Sequence, residues 1–182
     1  MKELSLNILD IVENSVKAGA TLTEILLEEA DGVLTLCIRD DGCGMDADTV
    51  KRVVDPFYTT RTTRAVGLGL PLLKLEAQQT GGDVTVVSKD QANYPDAHGT
   101  EVTATFYTDH IDCPPLGDLP ATIMTLVQGH PDTDFLFRHQ RQGKETVDMH
   151  TKELREVLGQ VPLDSFEVLQ WIQSSLQEAY DA

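Results

Sequence analysis

Residues 5–18, Ser-Leu-Asn-Ile-Leu-Asp-Ile-Val-Glu-Asn-Ser-Val-Lys-Ala, carry two stripes at helical spacing, and these constrain the whole N-terminal half. At about 100° per residue, Ile8, Leu9, Ile11, Val12 and Val16 form an apolar arc. A helix with that arc needs a sheet or a second helix to lie on. Ser5 is placed to cap it and Gly19 to stop it. Asp10, Glu13, Asn14 and Lys17 stand on the opposite arc at spacings of three, four and seven. Such a stripe suits a solvated face. A carboxylate, a carboxamide and an ammonium in one line equally suit a grip on a metal and a polyphosphate. The stripe alone leaves both open.

The next residues read as sheet. Thr23 to Glu29 and Val33 to Arg39 alternate in polarity and are split by Asp31-Gly32, a hairpin signal because the turn needs positive φ. The second run ends in Asp40-Asp41-Gly42-Cys43-Gly44-Met45, where two glycines one residue apart suggest a tight bend and a close backbone approach. Asp46 is placed to cap a short helix through Val54, and Asp55-Pro56 ends it. Phe57 to Arg64 has two arginines, four threonines and no helical period. Glycines then enter a helix running to about Gln79, with Pro71 in its first turn. That arrangement is a ready anion site, built from free N–H groups and the helix dipole. Strands at Asp83 to Lys89 and Thr100 to Thr108 follow. In the second of them, Val102, Ala104 and Phe106 mark one buried face.

Asp112-Cys113-Pro114-Pro115 reads as a linker. Beyond it we expect a helix at about 119–128 capped by Asp118, and a hairpin of Asp134 to Gln140 and Lys144 to Met149. Two helices, about 152–158 and 165–180, close the chain, with Asp164 and Glu167 at capping-box spacing. The domain reading is therefore 1–110, then a small α+β C-terminal region over 111–182 with no motif to name its role.

Charge narrows the partners. The chain has 182 residues, 30 acids against 14 Lys plus Arg, and a formal net charge of −16. Such a protein repels a phosphate backbone, so nucleic acid is not an expected partner. A nucleotide site would need a metal ion, local cations and backbone N–H groups to offset the field. There is no run of about 18 apolar residues and no signal-peptide core, so we expect no membrane association and a cytoplasmic location. Cys37, Cys43 and Cys113 are odd in number without a CxxC pair, which argues for reduced thiols. The five histidines show no metal spacing and are expected to be structural or superficial.

Four segments, in order and spacing, resemble the GHKL ATPase superfamily of gyrase-type topoisomerases, Hsp90 chaperones, histidine kinases and MutL repair proteins. Ile8 to Ala18, centred on Glu13-Asn14-Ser15, is similar to the Asn box. Asp40-Asp41-Gly42-Cys43-Gly44 is similar to the first glycine box. Asp55-Pro56-Phe57-Tyr58-Thr59-Thr60-Arg61 is similar to the F box of histidine kinases, and Gly67-Leu68-Gly69-Leu70 to the second glycine box. The resemblance covers about residues 3–108. It implies an α/β two-layer sandwich, a mixed sheet covered on one face by helices, which is the Bergerat ATP-binding fold.

The resemblance also implies a site for ATP and Mg²⁺. Asn14 would coordinate the metal, and Asp40 would accept a hydrogen bond from the adenine amino group. Gly42, Gly44 and Met45 would line the base pocket, with Thr100 closing its end. Gly67, Leu68, Gly69 and Leu70 would offer N–H groups to the phosphates. Lys17 and Arg61 would add positive charge, and Phe57, Thr59 and Thr60 belong to the same F-box segment. The first helix and Arg39 to Met45 resemble MutL. The charge and the short lid, Thr62 to Val66, oppose a DNA-repair clamp and are similar to histidine kinases.

In hydrolytic members a Glu stands four residues before the metal-binding Asn, and here that place is Asp10. Asp is one methylene shorter, and a general base needs hydrogen-bond reach to its water. Asp10 is thus the catalytic candidate and also the reason hydrolysis could be slow. Phosphoryl transfer relies mainly on positioning and charge neutralisation, so a strong base is not required. We expect no dimerisation helix pair with its phospho-accepting histidine ahead of the ATP domain, and the resemblance then implies a protein kinase or slow ATPase acting on a partner protein in trans. An ATP-gated switch without phosphotransfer is the alternative, and a homodimer is open to either.

Overall fold

The computed structural model describes residues 3–55 and 69–182. Helix α1 (Leu4–Lys17) leads into the hairpin of β1 (Leu22–Ala30) and β2 (Val33–Asp40). Asp31 and Gly32 both have positive φ, 53° and 77°, as a two-residue turn between twisted strands requires. Helices α2 (Ala47–Val53) and α3 (Gly69–Gln79), then strands β3 (Val84–Lys89) and β4 (Gly99–Tyr107), complete the first part. Helix α4 (Leu119–Gly129), strands β5 (Asp134–Arg141) and β6 (Val147–His150), and helices α5 (Thr151–Leu158) and α6 (Phe166–Asp181) follow.

The six strands form one mixed sheet in the order β3-β4-β2-β1-β5-β6. Among the described residues only β1 and β5 pair in parallel. The α+β character of the C-terminal region is as expected, and the sheet continues into it without a break. Ile25 stands opposite Ile38 on one side and Phe137 on the other, so a single apolar row crosses the linker. Ile8, Ile25, Leu36, Phe106, Ile123, Phe135, Phe137 and Ile172 are all shut off from water. Each such side chain contributes about 1.5–3 kcal/mol by burial. The opposite face is polar, with Arg39 paired to Glu101 at 2.8 Å and Glu24 at 3.2 Å.

Two helix starts differ from expectation. Ser5 does not cap α1; the cap is Glu3, and Ser5 lies buried in the first turn. The linker does the work instead. Leu4 N–H donates to the Pro115 carbonyl at 2.8 Å and Ser5 N–H to Leu116 at 2.9 Å. With carbonyls supplied from the linker, the orphan donors of the first turn need no side-chain cap. In α6 the cap is Ser165 rather than Asp164, and it makes no side-chain capping bond. The chain turns there through Ser165 N–H to the Pro162 carbonyl at 3.2 Å, which leaves Asp164 one residue outside. Asp118 and Asp46 cap α4 and α2 as read, accepting from Ala121 N–H at 3.0 Å and Thr49 N–H at 2.8 Å. Among the described residues, no helix is long and apolar enough to cross a membrane.

Candidate functional site

The ends of β2, β3 and β4 build one row. Asp40 faces Thr100 in the β2–β4 pairing, and Thr100 faces Ser88 in the β4–β3 pairing. Asp40 is fixed by three donors. Ser15 Oγ reaches one carboxylate oxygen at 2.7 Å, and the N–H groups of Gly42 and Thr100 reach the other at 2.9 and 3.3 Å. Ser88 Oγ lies 2.8 Å from the Thr100 hydroxyl and accepts from Met45 N–H at 2.8 Å. The row thus ties the loop after β2 to the far side of the sheet.

That loop is held close on every side. Cys43 N–H donates to the Ala18 carbonyl at 2.9 Å, and Gln91 N–H to the Cys43 carbonyl at 2.8 Å. Gly44 has φ +70°, and a Cβ there would sit 2.0 Å from the Lys89 carbonyl oxygen. Gly99 has φ +146°, and its Cβ would meet the Asp40 carbonyl oxygen at 2.1 Å. Only glycine fits either position. His98 Nδ1 lies 2.5 Å from the Gly42 carbonyl oxygen, which can only accept, so Nδ1 is the donor. Next to the loop, burial works against the Asp41 charge. Hydrogen bonds from the Thr21 side chain and from the N–H groups of Leu22 and Thr21 outweigh it, holding this carboxyl below its usual value.

A cavity of about 470 Å³ opens where α1, this loop, α2 and α3 meet. Ile11, Ile38 and Val102 give it an apolar side, while Asn14, Ser15, Lys17, Asp40 and Thr100 supply polar groups. Of the residues named from sequence, Asn14, Lys17, Asp40, Gly44, Met45, Leu70 and Thr100 line it together. Gly42 stands just behind, donating to Asp40. Gly69 brings the start of α3 against the polar stripe of α1: a Cβ there would be 3.9 Å from Asp10 Cβ and 4.0 Å from Asn14 Nδ2. Phe57, Thr59, Thr60, Arg61, Gly67 and Leu68 lie outside the described residues. Glu13 turns elsewhere, its carboxylate 2.9 Å from His130 Nε2.

Sequence reasoning missed several contributors. Thr49, Arg52 and Val53 line the cavity from α2, and their spacing of three and four was the available signal. Cys43, which the glycine-box resemblance puts beside the nucleotide, was not missed and lines it as well. Ser88 and His98 had no local signal, because their place depends on the register of β3 and β4.

The family described as histidine kinase-, DNA gyrase B- and HSP90-like ATPase matches residues 2–110. The chain belongs to that family. It carries a GHKL ATP-binding domain similar to the catalytic domains of histidine kinases. Similarity to the signal transduction histidine-protein kinase AtoS of Escherichia coli is 32% identity over 88 residues, 48% of this chain and 14% of that protein. Sporulation kinase E of Bacillus subtilis is 33% identical over 91 residues, 50% of this chain and 12% of the relative. The matched stretches therefore span less than a fifth of these relatives. The solved ATPase domain of Aquifex aeolicus MutL, complexed with ADP, shares the fold at TM-score 0.51 and 13% identity. That likeness covers 92% of this chain and 85% of the other.

Proposed function

We propose that the chain binds ATP with Mg²⁺ in the cavity beside Asp40 and passes the γ-phosphate to a partner protein, as a protein kinase in trans or a slow ATPase. The observation that carries the reading is the fixed carboxylate of Asp40. A charged acceptor held by three donors at an apolar cavity has its remaining capacity aimed at a ligand N–H. The adenine amino group supplies one, with the ring against Ile11, Ile38 and Val102. Lys17 and Arg52 offset the −16 field around the phosphates, and the first N–H groups of α3 at Gly69 and Leu70 donate to phosphate oxygens.

The donor set fits Mg²⁺. Among the described residues no group of three acidic, His or Cys side chains could hold a metal by itself. Mg²⁺ characteristically takes one or two protein oxygens and completes its shell with phosphates and water. Asn14 Oδ1 is the protein ligand under this reading, with Asp10 beside it on the stripe. The ion would neutralise charge on the transferring phosphate. Asp10 would orient the attacking group, and its short side chain favours transfer to a positioned acceptor over hydrolysis. The same shortness supports a second reading, in which ATP acts chiefly as a conformational switch.

Titration calorimetry with ATP·Mg tests the site: Asn14→Ala and Asp40→Ala should each abolish measurable binding, and unchanged heats in both would remove the assignment. Incubation with γ-labelled ATP and candidate partners tests the chemistry. Acid-labile label on a partner indicates phosphohistidine or phosphoaspartate. An absence of transfer with intact binding favours the switch.

A further inference from the structure

A second cavity, about 250 Å³, lies at the seam between the family domain and the C-terminal region. The β1–β2 turn contributes Glu29 to Val33, the end of β4 contributes Thr108, and the β5–β6 turn contributes Arg141, Gln142 and Lys144. Two cations in one cavity are notable in a chain with 14 basic and 30 acidic residues. The neighbouring acids are already engaged. Glu29 Oε2 lies 3.1 Å from His139 Nε2, and Asp31 Oδ1 accepts from Gln142 Nε2 at 3.2 Å. Among the described residues neither Arg141 nor Lys144 has an ion pair. Arg141 Nε is closed to water and has no hydrogen-bond partner, while the guanidinium is braced over the Tyr180 ring at 5.0 Å.

A buried guanidinium N–H without an acceptor is costly, so in native proteins such a group points to a partner that is still to be placed. The brace against Tyr180 fixes the planar donor fork in advance, and a fork of that kind matches the paired oxygens of a carboxylate or phosphate. Lys144, on the same turn, adds a mobile point charge. We infer that this seam cavity is a binding site for a small oxyanion ligand, held by Arg141 and Lys144. It is separate from the nucleotide cavity and exists only because the C-terminal region completes it.

Titration of the full chain with inorganic phosphate and, separately, succinate, against sodium chloride at matched ionic strength, distinguishes the two oxyanion sources. Saturable shifts of backbone amide resonances at Gly32, Gln142 and Lys144 are expected with at least one of them. Lys144→Gln, an exposed change that leaves the fold intact, should weaken that binding about tenfold. Arg141→Gln should remove it, and Asp40→Ala should leave it unchanged. The site is overturned if neither anion gives saturable shifts at these residues. It is equally overturned if Lys144→Gln binds like the parent, or if Asp40→Ala removes the shifts and so assigns them to the nucleotide cavity.

Discussion

The family-matched part and the C-terminal region are built on the same sheet by the same burial, yet they spend their polar groups differently. At the β5–α5 corner of the C-terminal region the polar side chains serve each other. Thr151 donates to Asp134 at 2.8 Å and accepts from Phe135 N–H at 2.8 Å, and Arg155 closes the same corner on Asp134 at 2.8 Å. His139 sits fully buried between Tyr180 and Glu29. Around the cavity beside Asp40 the polar contacts instead fix groups at its wall: a carboxylate held by three donors, and glycines where a Cβ would strike a carbonyl. Interactions that close on themselves indicate structure. Interactions that hold a group toward a cavity indicate a ligand.

The contrast can be broken by mutation. The largest effect is expected for Phe137→Ala on β5, a fully buried aromatic in the C-terminal region. It should cost about 3–5 kcal/mol in urea unfolding. ATP affinity of the folded fraction should stay within about twofold. A selective loss of affinity at full stability would erase the division between the two regions. Gly44→Ala should do the reverse. Strain of about 1–3 kcal/mol falls on the loop itself, so melting should fall by less than in Phe137→Ala, while ATP binding should drop on the order of tenfold or more. Calorimetry and a thermal melt on the same sample separate the two outcomes.

How far the sequence shows this division depends on the kind of signal. Periodicity was sufficient for the strands, for α1 and for the capped helices, since a buried face repeats along one element. The local pattern of Asp40 to Met45 showed only a tight bend with close backbone approach; Asp40, Gly42 and Gly44 were named as site residues through the resemblance to the GHKL superfamily. The seam was not. Pairing of Leu22 with Asp134 and of Ile25 with Phe137 joins residues over a hundred apart, and no local pattern encodes such a register. The capping of α1 by Pro115 and Leu116 was hidden for the same reason, as was Ser88, which reaches the site only through its register with Thr100.

Acid should distinguish the regions next. Burial holds the His139 imidazole below its ordinary value of 6.5; the facing Glu29 opposes this and Arg141 adds to it, while the Tyr180 hydroxyl bonds its Nδ1. An unfolded chain takes up that proton near 6.5 and the folded chain resists it. The contribution of this group is therefore present at neutral pH and is lost as pH falls below about 6.5. Melting temperature should drop between pH 7.5 and 5.5, and by less in His139→Gln. Equal slopes in both proteins would remove His139 from the account. Asp41 and Asp134, both held below 3.8, act in a separate window at lower pH.

The smallest effect probes α1, which lines the cavity and also packs against α4 of the C-terminal region. Asn14 faces the cavity while Glu13, its neighbour, reaches His130 across the linker. The pair is partly exposed, at 23% for His130 and 38% for Glu13, so its loss should cost under about 1 kcal/mol. Backbone bonds from Pro115 and Leu116 already fix the start of α1, and Asn7 Nδ2 to Glu76 at 2.7 Å fixes its flank against α3. Glu13→Gln should therefore leave ATP affinity within about twofold, in contrast to Asn14→Ala one residue away. A fall in affinity comparable to that of Asn14→Ala would mean that the C-terminal region sets the angle of α1, and that the nucleotide site is assembled by both regions together.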